Sequence, residues 1–203
     1  MGIKELSHAA ERKAFSTAID GFLKHIKKKD YAGRSETYAK LVDTAATFWG
    51  KGASKEKMEA AKKALQDPNN RWVRFLNRVI DETDPHYAKT MLLNLGYEAF
   101  FRGTKMIRAN REKYHCNIPW LILFDPTMAC NMHCVGCWSG TYGHKANLSF
   151  EDMDKIVTQG KELGAYLYMM TGGEPTVRMN DIFKLAEKHN DCFFGLYSNS
   201  TLI

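Results

Sequence analysis

The sequence lacks the features that mark exported and membrane-spanning proteins. Charged residues such as Glu5, Arg12 and Asp20 interrupt its first apolar segment, which therefore resembles neither a signal peptide nor a spanning helix. Low-complexity tracts are absent, and the only internal regularity is an alternation of strands and helices. With 44% hydrophobic residues among 203, the chain can bury one sizeable core or two small ones. We expect a globular, cytoplasmic protein.

Cysteine is scarce, and its count is odd. The chain has five cysteines, three of which fall within eight residues. Such a distribution in a chain without an export signal is poorly explained by a disulfide framework, so metal binding or thiol chemistry is the better explanation. Cys116 and Cys192 lie outside this group, and we expect both to be buried free thiols.

Acidic residues are under-represented in the front of the chain. Up to Asn117 there are 23 Lys and Arg against 14 Asp and Glu, and from Ile118 onward the counts are 6 and 9. A basic front could attract an acidic partner or membrane lipid, although a solvated helix face is the favoured interpretation. Peripheral membrane contact stays an alternative. Since no RNA-binding or zinc-finger pattern is present, we expect no nucleic-acid partner.

The hydrophobic pattern predicts an α/β protein with two domains. Residues 1–116 show a helical period and form the predicted basic helical domain. From residue 117 the pattern changes to three short apolar runs, near residues 120–124, 165–170 and 192–197, separated by two amphipathic segments. This order predicts a β-α-β-α-β unit with a parallel sheet, in which the first strand is buried on both faces. Chemistry is then expected at the carboxyl ends of the strands.

A cysteine motif follows the first predicted strand. Cys130, Cys134 and Cys137 have the spacing Cys-x3-Cys-x2-Cys, which lets one loop bring three soft ligands to a single centre. A structural zinc site uses four ligands, whereas an iron–sulfur cube held by three cysteines keeps one iron open. A zinc site completed by His133 or His144, and a thioredoxin-like pair of Cys134 and Cys137, are the alternatives.

Two further motifs follow the next two predicted strands. Thr171-Gly172-Gly173-Glu174-Pro175 comes after the second, and Ser198-Asn199-Ser200-Thr201 after the third. Taken with the cysteines, they resemble the signature of the radical S-adenosylmethionine (SAM) superfamily. Shorter matches around residues 117–120, 137–138, 142–144 and 188–192 resemble a bacterial subgroup with a helical amino-terminal region.

This resemblance implies a cofactor pair and a set of binding residues. Cys130, Cys134 and Cys137 would hold a [4Fe-4S] cluster, and the open iron would bind SAM, which is reductively cleaved to a radical that abstracts hydrogen from an unknown substrate. A flavodoxin- or ferredoxin-type protein would supply the electron. The implied SAM-binding residues are Gly136, Trp138, Gly172, Gly173, Glu174, Pro175, Ser198 and Asn199. Glycines permit close backbone approach, and a carboxylate suits an ammonium group.

The resemblance also sets an expectation about completeness. It implies a partial (β/α)6 barrel, of which residues 117–203 would be the first half, so we expect a truncated chain with weak SAM binding and poor turnover. Ser200 stands where the family has glycine, and Gly136 stands where an aromatic residue often precedes the third cysteine. The alternative functions are a non-catalytic iron–sulfur or zinc module and a helical interaction domain with a vestigial cluster domain.

Overall fold

The chain divides into two compact units. The structure is a computed structural model that describes residues 3–49, 54–142 and 145–203. The two units are Met1–Leu93 and Asn94–Ile203. Residues 94–116 therefore belong to the second unit, although the change of sequence pattern lies near residue 117. The functional domains 1–116 and 117–203 stay a prediction.

The first unit is helical, as its apolar period predicts. Its helices are α1 (Ile3–Lys27), α2 (Tyr31–Trp49), α3 (Lys55–Gln66), α4 (Arg71–Glu82) and α5 (Pro85–Met91). Polar side chains accept hydrogen bonds from the first-turn N–H groups of α3, α4 and α5, which would otherwise lack partners: Ser54, Asn70 and Asp84. The core of this unit contains Leu23, Ile26, Tyr38, Val73 and Ile80. In the described part of the chain, every helix is too short or too polar to cross a membrane.

The chain continues as a π-helix, Leu92–Gly103, followed by α6, Thr104–Tyr114. The sequence pattern predicts a helical segment from residue 85 to about 102, and the structure is helical there, with α geometry to Met91 and π geometry from Leu92. The π-helix carries Asn94, whose amide donates to the backbone oxygens of Asn190 and Cys192, each at 2.9 Å. These bonds tie the π-helix to the segment that enters the last strand.

A three-stranded parallel sheet forms the rest of the second unit. Its elements are β1 (Leu121–Thr127), α7 (Phe150–Leu163), β2 (Leu167–Gly172), α8 (Met179–Lys188) and β3 (Phe193–Leu196). The strands lie in the order β1-β2-β3, with Leu121 paired to Leu167 and Leu167 to Phe193. The predicted α/β class, the β-α-β-α-β order and the parallel sheet are confirmed. Short 3-10 helices lie at Ser139–Tyr142 and Pro175–Arg178.

The first strand differs from the prediction in two ways. Its register slips between Phe124 and Thr127, because Pro126 has no N–H to give to the ladder. Phe124 packs into the core with α7 and α8 and is 8% exposed, but Leu123 on the opposite face is 52% exposed. The predicted burial of both faces is therefore wrong for β1, because one face is open to solvent at Leu123.

Helix α7 is fixed against β2 at close range. Two residues define its ends: the Ser149 hydroxyl accepts from Asp152 N–H at 3.0 Å, and Gly164 has a left-handed φ of 101°. Gly160 lies directly over the Tyr168 hydroxyl, and a Cβ at this position would overlap that group. Tyr168 is fully buried, and its hydroxyl lies within hydrogen-bond distance of the backbone oxygens of Val157 and Ala165. The contact therefore leaves no room for a larger residue.

We expect Gly160→Ala to destabilise the second unit by about 2 kcal/mol, because the added methyl group must displace a buried, hydrogen-bonded ring. The measurement is urea denaturation followed by circular dichroism. Gly21→Ala in α1 is the matched control, since an added Cβ there meets no described atom within 4 Å and should stabilise its helix by about 1 kcal/mol. Equal effects of the two changes would contradict the packing account.

Candidate functional site at the carboxyl ends of the strands

The loops after the three strands meet at one edge of the sheet. Because the strands are parallel, their carboxyl ends lie together, which is where α/β sheets bind ligands. Gly173 N–H donates to the Thr127 oxygen at 2.9 Å, and Glu174 N–H donates to the Ala129 oxygen at 2.8 Å. These two bonds join the loop after β2 to the start of the cysteine loop.

All three motif cysteines are free thiols on the loop after β1. Cys134 is exposed, and Cys130 and Cys137 are half-buried. The backbone turns between the last two, with Cys137 N–H donating to the Cys134 oxygen at 3.2 Å and Gly136 at a φ of 74°. This left-handed conformation favours glycine, which accounts for Gly136 in place of the aromatic residue usual in the resembled family. Gly136 therefore shapes the turn that carries Cys137.

The cysteine loop surrounds a cavity of about 430 Å³. This volume lies within the range of small-ligand sites. Its walls are Met132, His133, Cys134, Gly136, Cys137, Trp138 and Gly140. Trp138 is 52% exposed, so its indole could cover a planar ligand. Two of the three motif cysteines thus border one cavity with Gly136 and Trp138, two of the SAM-binding residues that the resemblance implies.

Three thiols are chemically suited to hold a metal ion or a cluster, although they do not converge on one point. Within residues 3–49, 54–142 and 145–203, no three His, Cys, Asp or Glu side chains converge on a point that would hold one ion. A zinc ion or a cluster would therefore have to gather the thiolates as it binds, and such coupling of binding to local folding is common. His144, one of the predicted zinc ligands, lies outside the described residues.

The two glycines before Glu174 bring the chain against itself. A Cβ on Gly173 would overlap the backbone of Met128 and Ala129, and a Cβ on Gly172 would lie 2.9 Å from the Asp125 Cβ. Gly172 also has a left-handed φ of 103°. Both residues are therefore required for contact with the strand and loop that lead to the cysteines, whatever they do toward a ligand.

Glu174 is a buried carboxylate, 1% exposed, whose oxygens both accept hydrogen bonds. One oxygen accepts from the N–H and hydroxyl of Thr176 and, at 2.8 Å, from the Ser198 hydroxyl. The other accepts from Asn199 N–H at 2.7 Å. The carboxylate thus joins the loop after β2 to the loop after β3.

The pKa of Glu174 lies below its ordinary value. Burial acts to raise it, but the hydrogen bonds from Thr176, Asn199 and Ser198 favour the charged form and prevail. Glu174 is therefore ionised at neutral pH.

The third loop reaches back to the cysteine loop. The side-chain amide of Asn199 donates to the Asn131 amide oxygen at 3.0 Å and lies 4.0 Å from the Cys130 sulfur. The next residue, Ser200, has a left-handed φ of 58°. This conformation suits glycine best and explains why the resembled family has glycine at this position.

Sequence reasoning missed three polar residues at this edge. Asn131 and Thr176 have no distinctive spacing, and their contacts emerge only in three dimensions. Asp125 does carry a signal, as an acidic residue directly after an apolar run. Its Oδ1 atom is buried and has no hydrogen-bond partner among the described residues, and burial raises its pKa.

The two cysteines outside the motif differ in environment. Cys192 is 4% exposed, as predicted, and burial raises the pKa of its thiol, which keeps it protonated and unreactive. Cys116 is exposed, so its predicted burial is wrong. Cys116 lies in the segment between α6 and β1, outside any helix or strand.

A family model described as the radical SAM superfamily matches residues 124–203. The matched segment contains the three cysteines and both later motifs. Residues 124–203 belong to the radical SAM superfamily. The resemblance drawn from the motifs is therefore confirmed for this segment.

A curated relative of this radical SAM segment is a probable GTP 3′,8-cyclase of Methanothermobacter thermautotrophicus. It is 31% identical over 81 residues, which cover 38% of this chain and 26% of that protein. The chain thus spans about a quarter of the length of this relative. No solved structure matched the chain.

We expect Glu174→Gln to destabilise the second unit by about 2 kcal/mol at neutral pH, because buried donors lose an acceptor. A lowered pKa contributes stability that is complete above the ordinary value of about 4.3 and is lost as the pH falls through the folded value. The difference from wild type should therefore shrink as the pH falls below about 4.3.

Urea denaturation across this pH range checks the prediction. Glu187→Gln, at an exposed position of α8, is the charge-matched control and should change little. A Glu174→Gln deficit that is the same in acid and at neutral pH would show that the ionised carboxylate is not what stabilises the loops.

Proposed function

We propose that this chain binds a [4Fe-4S] cluster through Cys130, Cys134 and Cys137 and acts in radical SAM catalysis. The observation that carries the proposal is the meeting of the cysteine loop with the Gly172–Pro175 and Ser198–Asn199 motifs at one sheet edge, inside the segment that belongs to the superfamily. A three-thiolate loop beside a cavity suits a cofactor that needs one open position better than it suits a closed zinc site.

The bound cofactors would supply the chemistry. Cys130, Cys134 and Cys137 would hold the cluster, which with SAM would supply a radical able to abstract hydrogen from an organic substrate.

The protein's own residues would hold and shield this chemistry. Gly136 and Trp138 border the cavity and would contact the adenine. The loop of Gly172, Gly173, Glu174 and Pro175 would face the methionine end of SAM, and Ser198 and Asn199 would border the same pocket. Pro175 is buried and begins the 3-10 helix, so it fixes the direction in which the chain leaves Glu174.

The electron would come from an acidic flavodoxin- or ferredoxin-type protein. The excess of basic residues in the front of the chain supports this choice, since opposite charge steers association.

We expect single Cys→Ser changes at residues 130, 134 and 137 to abolish cluster formation. After anaerobic reconstitution with iron and sulfide, the wild-type chain should be brown, with a thiolate-to-iron band near ~400 nm and about four irons per chain. Each variant should lose the band, because one of three essential ligands is gone.

Cys116→Ser is the matched control, because Cys116 is an exposed thiol outside the motif. It should retain the band and the iron. A colourless protein that binds zinc in place of iron would favour the zinc-module alternative and overturn the proposal.

Catalytic competence is tested separately from cluster binding. With dithionite and SAM, we expect the reconstituted chain to form 5′-deoxyadenosine slowly, in keeping with the expected weak SAM binding and poor turnover, and the three cysteine variants to form none. Chromatographic quantification of the nucleoside is the measurement. Equal formation by wild type and Cys134→Ser would show that the cleavage does not depend on the cluster.

A further inference from the structure

Glu174 has little capacity left for a ligand. Each carboxylate oxygen offers about two lone-pair positions: Oε1 already accepts three hydrogen bonds and is fully used, whereas Oε2 accepts one and keeps a single position. It is 1% exposed, and it is not among the residues that wall the cavity at the cysteine loop. These observations indicate that its side chain acts on the protein around it.

Its partner Asn199 is held in a single orientation. The Asn199 amide oxygen accepts from the N–H of Thr201 at 3.0 Å and from its hydroxyl at 2.7 Å. Because the oxygen faces Thr201, the amide nitrogen must face the cysteine loop. There it donates to the Asn131 oxygen at 3.0 Å and lies 4.0 Å from the Cys130 sulfur.

The Cys130 sulfur has a second polar neighbour. Met132 N–H donates to it at 3.4 Å. Hydrogen bonds to the sulfur atoms of an iron–sulfur centre are among the factors that set its reduction potential. Since reduction adds negative charge, donors beside the sulfur stabilise the reduced state, and their loss lowers the potential.

We propose that Glu174 is a positioning residue which, by holding Asn199, fixes the donors at the Cys130 sulfur and thereby sets the reduction potential of a cluster bound there. The inference rests on the proposed cluster and assigns Glu174 a role distinct from contact with SAM. The path runs from the Glu174 carboxylate through Asn199 to Asn131 and Cys130.

The first test is the midpoint potential of the reconstituted cluster without SAM. We expect Glu174→Gln and Asn199→Ala each to shift it to a more negative value, since both weaken the donor at the sulfur. The double variant should shift no further than the larger single change, because the two residues act along one path. Glu187→Gln and Asn180→Ala, at exposed positions of α8, are the matched controls and should leave the potential unchanged.

Measuring the potential without SAM separates two possible roles of Glu174, which are positioning Asn199 and contacting SAM directly. A potential that is unchanged in Glu174→Gln, with a defect that emerges only when SAM is added, would overturn the proposal in favour of direct ligand contact. Asn199→Ala keeps the backbone N–H that Glu174 uses, so it tests the link to sulfur even where Glu174→Gln fails to fold. An unchanged potential in Asn199→Ala overturns the proposal as well.

The second test needs no cluster and so separates this inference from the proposed function. In urea denaturation of the metal-free chain, the combined Glu174→Gln and Asn199→Ala loss should be smaller than the sum of the single losses. Glu174→Gln with Asn180→Ala should be additive. Additive losses in the free energy of unfolding for Glu174→Gln and Asn199→Ala would overturn the proposed link between these two residues. A chain that takes up no cluster yet shows the coupling would overturn the proposed function and the effect on a reduction potential, and would leave Glu174 as a residue that positions Asn199.

Discussion

A buried carboxylate is the constraint on which the site depends. An ionised side chain that is 1% exposed is tolerated only if its oxygens have donors, and Glu174 finds them on two loops that are far apart in sequence. The loops after β2 and β3 are therefore fixed relative to each other. Asn199 extends this connection to the loop that carries the cysteines.

The parallel sheet and two glycines allow these three loops to come into contact. Parallel pairing brings three carboxyl ends to one edge, and Gly172 and Gly173 let the second loop lie against the first without a side chain between them. Cys130 lies at this anchored end, whereas Cys134 is exposed farther along the loop. One end of the cysteine loop is thus anchored to the other two loops.

Much of the second unit could be predicted from local patterns. Short apolar runs alternating with amphipathic segments indicate parallel strands, and Ser149 and Gly164 mark the ends of α7. The pitch of the helix after Met91 could not be predicted, because apolar spacing does not separate α from π geometry over so short a segment. The exposure of Leu123 could not be predicted either, since an apolar run does not reveal which face of a strand a helix covers.

The location of the candidate site could be predicted, but the contacts within it could not. Three motifs at consecutive strand ends predict a site at this edge, and they led to the superfamily of residues 124–203. Their internal contacts could not be predicted, because Thr176 and Asn131 have ordinary local sequence, and only the folded chain brings them to Glu174 and Asn199. The carboxylate of Glu174, a motif residue implied to meet a ligand, thus accepts hydrogen bonds from Thr176, Ser198 and Asn199.

The most direct test of this account is the electron paramagnetic resonance spectrum of the dithionite-reduced, reconstituted chain before and after SAM is added. The account predicts the signal of a reduced [4Fe-4S] cluster that changes on addition of SAM, because one iron keeps an open position for it. A reduced cluster whose spectrum is the same with and without SAM would contradict the account and favour an iron–sulfur module without catalysis.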